Sequence, residues 1–278
     1  MRKLFVLLLV LGMASIASAD RTWDGGGGAN NNWMNPLNWN GDTLPVNTGV
    51  ALDLAKLYKT TGVATMLINS AGPTAWQVKL AGPNPPTSPL TWCTLTVTDG
   101  GVLDVGEYFM VGIDSTVNRS GQLDMTGGTI NLGTKTSASG HLYLGFAIAG
   151  TTGWLNMSGG TINGSADFDI AHSAGTAGYA NLSGNSTIYA NQLRMNLSGT
   201  GTAVLDIKGN AKVILTGDRR TAVEGYIDSG WIKTDGVAWD DYSHVYYDGS
   251  KTTLTLIPEP ATICLLGIGA LSLIRRKK

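Results

Sequence analysis

Asp167 and Asp169 are the carboxylates whose spacing could support chemistry. Two residues apart on a strand, they project from one face. Such a pair can act as general acid and base where a substrate groove crosses it. The simpler reading is a solvated strand face, since acidic side chains are mostly exposed. Asp240-Asp241, beside Trp239 and Tyr242, could form a sugar-binding edge or a polar turn at the end of a fold. His141, His172 and His244 lack the local spacing to Cys or carboxylates that metal ligands show. The chain has no Gly-rich phosphate loop, nucleophile elbow or zinc pattern. No catalytic residue, metal site or cofactor is therefore expected.

The elements that would position these side chains are repeats. Leu123-Asp124-Met125-Thr126-Gly127-Gly128-Thr129-Ile130-Asn131 returns as Leu155-Asn156-Met157-Ser158-Gly159-Gly160-Thr161-Ile162-Asn163. Weaker copies begin at Leu95, Ala180 and Leu205. Second strands are expected near 108–112, 142–145, 168–171 and 193–195. Each unit thus reads strand, glycine corner, strand, polar loop, strand, with alternating apolar residues that give one buried face. Glycine supplies the left-handed backbone that sharp corners need.

A unit of about 25 residues cannot bury its own apolar face, whereas stacked units share a continuous core. The fold expected is all-β, a single-stranded parallel β-helix (solenoid) with N- and C-terminal caps. A sandwich or propeller of antiparallel hairpins is the alternative, because short apolar runs do not reveal strand direction. The residue after each marker (Thr96, Asp124, Asn156, Asn181, Asp206) would form a polar row along the stack. That row is read as an outward solvated or Asn-stacked face in preference to a glycan or cation site.

The expected divisions are a signal peptide at 1–19, a Trp/Gly/Asn-rich cap at 20–53, the repeats at 54–217, a C-terminal cap at 218–256 and a sorting tail at 257–278. In the first cap, Trp23, Trp33 and Trp39 could stack on sugar rings, but pinning the cap onto the first coil is the favoured role. After Gly217 the repeat breaks and aromatic residues accumulate, which suits closure of the far end.

Both termini carry targeting patterns. Arg2 and Lys3 precede an apolar stretch at 4–16, and Ala17-Ser18-Ala19 offers signal peptidase a small-x-small site with Asp20 as the new N terminus. At the other end, Pro258-Glu259-Pro260 precedes an apolar run at 261–274, and Arg275-Arg276-Lys277-Lys278 closes the chain. A basic cluster after an apolar run stays on the cytoplasmic side, which makes this a transmembrane sorting helix. The two prolines keep the tripeptide extended and accessible.

This tail resembles the PEP-CTERM domain in the order of its three parts. The Trp-rich start followed by Gly-rich repeats resembles autotransporter-like β-helical proteins that bear such tails. The resemblance implies processing by an exosortase, a membrane cysteine protease-transpeptidase, and release or attachment beyond the inner membrane. It further implies an extracellular polysaccharide as a neighbour.

Composition agrees with an exported domain. Six of the 19 basic residues lie in the two signals, leaving 13 against 20 acids, or 19 acids if Glu259 is lost as well. An acidic product argues against nucleic acid, which needs clustered cations. Cys93 is the only cysteine outside the tail, so the mature domain has no internal disulfide and Cys93 reads as a small buried side chain. The function expected is a structural or adhesive surface or matrix protein without catalysis, its partners being signal peptidase, exosortase, transiently the inner membrane, and extracellular polysaccharide. The alternative is a secreted polysaccharide lyase or glycosidase on the same fold.

Overall fold

Period-two alternation of apolar and polar residues turns each short segment into a strand with one buried face. In Cys93–Val97, Leu54–Leu57 and Gln192–Met195 every second residue is buried. The computed structural model describes residues 20–47, 53–57, 64–81, 93–113, 120–135 and 139–256. Its strands form three sheets of seven, eight and eight members. Successive strands of one coil enter different sheets. Ser120–Met125 belongs to one, Thr129–Leu132 to the second and Leu142–Phe146 to the third. The next coil repeats the order with Thr152–Met157, Thr161–Asn163 and Asp167–Ile170. The strands pair in parallel from coil to coil, so the fold is a parallel β-solenoid and the antiparallel alternative is excluded.

The sequence markers set the register. Leu95 pairs with Leu123, Leu123 with Leu155, Leu155 with Ala180, and Ala180 with Leu205. All five are fully buried and form a column through one continuous core. Similar columns line the other sheets, as in Leu103, Ile130, Ile162, Ile188 and Val213. Burying each such side chain contributes about 1.5–3 kcal/mol, so the column is the main source of cohesion between coils. Cys93 is buried in this core, where its thiol donates to the Leu57 carbonyl.

Coils change sheets through left-handed residues. Gly112, Gly145, Ala171 and Asn196 follow equivalent strand positions, and all four have positive φ (68°, 73°, 57° and 47°). At Gly145 a Cβ would lie 2.2 Å from the Ala177 carbonyl oxygen, so the position excludes a side chain on space as well as on φ.

The ends depart from the parallel pattern. Trp23, Trp33 and Trp39 pack edge to face with centroids 4.7–5.3 Å apart. The Asn-rich loop around them is held by its own side chains. Asn30, Asn32 and Asn35 each accept from the backbone N–H two residues on, and Asn38 Nδ2 donates to the carbonyls of Asn30 and Asn32. At the far end Lys251–Leu254 runs antiparallel to Lys212–Thr216, and Val237–Ala238 antiparallel to Ile232–Thr234. The helix Arg220–Asp228 lies between them in sequence, and Tyr226 Oη donates to the Leu193 carbonyl at the last strand of the third sheet.

Asp20, the expected first mature residue, opens the first described strand and pairs with Leu54. Ala17, Ala19, the Pro258-Glu259-Pro260 motif and the basic residues 275–278 lie outside the described residues, as does the expected transmembrane helix. Among the described residues no helix is long and apolar enough to cross a membrane.

The corner geometry makes a differential prediction. Gly145→Ala is expected to lower stability by more than about 1 kcal/mol, from strain plus the clash. Gly225→Ala, in open space within the helix, is expected to raise it by about 0.5–1 kcal/mol. Urea denaturation of both variants checks the contrast, and equal effects would refute the role of the corner.

Candidate functional site

Phe109–Ile113, Leu142–Phe146, Asp167–Ile170 and Gln192–Met195 are neighbours in the seven-stranded sheet. Their inward residues fill the core, so the residues between them must face outward. Register then places Met110, Tyr143, Asp169 and Arg194 in one outward row across four coils. One position earlier, His141 precedes Leu142 as Asp167 precedes Phe168, which brings His141 beside Asp167.

The outcome is a buried ion cluster. Arg194 clamps Asp169 with Nε to Oδ1 at 2.5 Å and Nη2 to Oδ2 at 2.8 Å. Its Nη2 also lies 3.1 Å from Asp167 Oδ2. His141 Nδ1 lies 3.6 Å from Asp169 Oδ2 and 3.8 Å from Asp167 Oδ2, and His172 Nδ1 lies 3.5 Å from Asp169 Oδ1. Asp169 is 0% exposed and Asp167 7%. The expectation of a solvated face for this pair is therefore corrected. The physical reason is an aromatic wall around the cluster. The Tyr143 ring stacks on His141 at 5.3 Å and meets His172 edge-on at 5.2 Å, while Phe146 lies 5.0 Å from His172 and Tyr108 5.6 Å from His141.

Burial alone would raise the Asp169 carboxyl, but His141, Arg194 and His172 outweigh it and hold it below the ordinary carboxylate range. Burial, reinforced by the Asp169 charge, pushes the Tyr143 hydroxyl up to about 12. Tyr143 is thus neutral and Asp169 anionic at physiological pH. A clamped carboxylate that is held in its ionised form is a poor general acid. Since its folded pKa is depressed, its stabilisation is complete above the ordinary carboxylate pKa and is lost as pH falls through the lowered value.

Local spacing missed this cluster because its members lie 25 or more residues apart in several pairs, as in Arg194 with Asp169. The signal was present in the repeat itself. Aligning Leu142, Phe168 and Leu193 of successive third strands puts His141, Asp167 and Gln192 in one column and Tyr143, Asp169 and Arg194 in the next.

The polar row forms as expected. Asn156 Nδ2 donates to Asp124 Oδ1 and Asn181 Nδ2 to Asn156 Oδ1, both at 2.9 Å, and Asp206 Oδ2 accepts from the Gly236 N–H. A cavity of about 370 Å³ opens along it, lined by Thr96, Asp124, Asn156, Asn181 and Ser183. On the same strands, two residues before Asn156 and Asn181, Trp154 and Tyr179 stack with centroids 5.6 Å apart. Trp23, Trp33 and Trp39 are 0–4% exposed, which leaves none of their ring faces open to a sugar. Asp241 caps a turn by accepting from the N–H and Oγ of Ser243, and His244 packs on Trp239, outside the ion cluster.

The clamp is testable. Arg194→Met leaves Asp169 buried and unpaired, and is expected to cost about 3–5 kcal/mol. Asp169→Asn in the same chain is expected to restore part of that loss. Urea denaturation of the single and double variants reads both, and additive losses would refute the pairing.

Comparison with known proteins bears on the C-terminal end of the chain. No curated protein and no solved structure matches the chain. Residues 256–278, which begin at the last described residue and contain Pro258, Glu259, Pro260 and the closing basic cluster, match the family model of the PEP-CTERM protein-sorting motif. The chain is thus a parallel β-solenoid carrying an exosortase sorting signal, which marks it for export and processing.

Proposed function

We propose that the processed chain is a non-catalytic structural or adhesive protein of the cell surface or extracellular matrix, a stiff rod that contacts exopolysaccharide. The observation that supports this reading is that its conspicuous polar groups are engaged with one another. The Asp167–Asp169 pair is clamped by Arg194, and the outward amides bridge coil to coil. A hydrogen-bonded ladder adds stiffness along the stack, as parallel amide stacks do. The cavity along that ladder carries amide, hydroxyl and carboxylate groups, and the Trp154–Tyr179 stack lies two residues earlier on the same strands, so a polar groove and an aromatic pair adjoin as suits a sugar chain. The sorting motif supports delivery to a compartment where such chains are abundant.

Two experiments test the reading. Replacing Pro258, Glu259 and Pro260 together by Ala is expected to leave an unprocessed precursor in the inner-membrane fraction. Wild-type-like release of that variant would refute exosortase handling. The exported protein is expected to bind exopolysaccharide without producing reducing ends or unsaturated products, and Asn181→Leu is expected to weaken retention on immobilised polysaccharide severalfold. Turnover that is abolished by Asp167→Asn would overturn the non-catalytic assignment in favour of a lyase or glycosidase.

A further inference from the structure

The ion cluster holds more than the clamp requires. Nδ1 of His141 and Nδ1 of His172 are buried without hydrogen-bond partners, yet both face carboxylate oxygens. Separations of 3.5–3.8 Å are too long for hydrogen bonds. With the proton on Nε2, an imidazole would set its lone pair against those of a carboxylate. Arg194 occupies two of the roughly four lone-pair directions of Asp169, and the others remain for the histidine side. These distances are close to those between two donors that share one cation. Donors about 2.1 Å from a tetrahedral metal lie roughly 3.4 Å apart.

His141 Nδ1 and one oxygen each from Asp167 and Asp169 all lie within 4.8 Å of one another. We propose that these three residues bind one divalent first-row transition-metal ion, zinc being the representative, with Arg194 orienting the carboxylates from behind. The donor set decides the class of ion. An imidazole nitrogen with two carboxylates suits zinc and its neighbours, whereas calcium and magnesium prefer oxygen alone. Charge favours a cation over an anion, because two carboxylates against one guanidinium leave the cluster net negative. Ligating carboxylates are themselves held by hydrogen bonds from neighbouring groups, a part that Arg194 would fill here. His141 belongs to one coil and Asp167 and Asp169 to the next, so the ion would staple two coils together. Such a staple suits an exported domain whose described residues include a single cysteine, Cys93, and therefore no disulfide.

Calorimetric titration of the chelator-stripped full chain with zinc chloride is expected to show one saturable equivalent, with an increase in Tm on loading. His141→Gln and Asp167→Asn are expected to weaken binding at least tenfold, while His244→Gln leaves it unchanged. The cobalt(II)-loaded parent is expected to show visible d–d bands and paramagnetically shifted imidazole resonances, a readout that does not depend on any variant folding. Absence of saturable zinc binding, undiminished binding by correctly folded His141→Gln, or a cobalt form without imidazole ligation would each overturn the assignment. None of these results bears on polysaccharide contact, which is read separately at Asn181.

Discussion

Parallel, in-register stacking is the constraint on which the structure depends. Neighbouring strands about 4.8 Å apart force every side chain to face its counterpart one coil away. Inside the stack this multiplies apolar contacts, since leucine meets leucine down a whole column. Outside it is unforgiving, because like charges placed directly opposite repel. Most of the outward rows described above obey that limit, Lys56 opposite Lys79 being an exception. Asp124 is followed by Asn156 and Asn181 before Asp206 appears, and Asp169 is followed by Arg194. Asn131 donates to Asp104, and Asn163 to Asn131, on the second sheet in the same way.

Much of this was legible in the residues alone. The recurrence of Leu123 and Leu155 with their Gly-Gly corners contained the coil, its register and the composition of one outward row. Strand direction was not, because a short alternating segment buries the same face in either orientation. The ion cluster was hidden for a different reason. Motif reading compares neighbours in sequence, whereas a solenoid makes neighbours of residues one coil apart. His141 and Asp167 carry no local signature, and become visible only when the third strands of successive coils are aligned. The early tryptophans were ambiguous in sequence, since an aromatic cap and an aromatic sugar platform share one composition. Burial separates the two roles, and here the rings close against each other.

Charge and stiffness are linked in this chain. The domain has few charged side chains, and several of those it has are consumed in pairs such as Arg21 with Asp53, Lys56 with Asp20 and Arg220 with Asp218. What remains outward is largely amide and hydroxyl. A surface of that kind exchanges hydrogen bonds with water and with sugars on similar terms, which favours many weak contacts along a length over one tight site.

The reversed strand Lys251–Leu254 has a consequence for assembly. A stack of identical parallel coils has no intrinsic length, because each end offers the same template to the next chain, and such ends polymerise. Turning Lys251–Leu254 around breaks the parallel ladder, and placing the three-residue Val245–Tyr247 outermost leaves an approaching coil only a short edge. The parallel ladder of this sheet is thereby given a terminus within the chain itself.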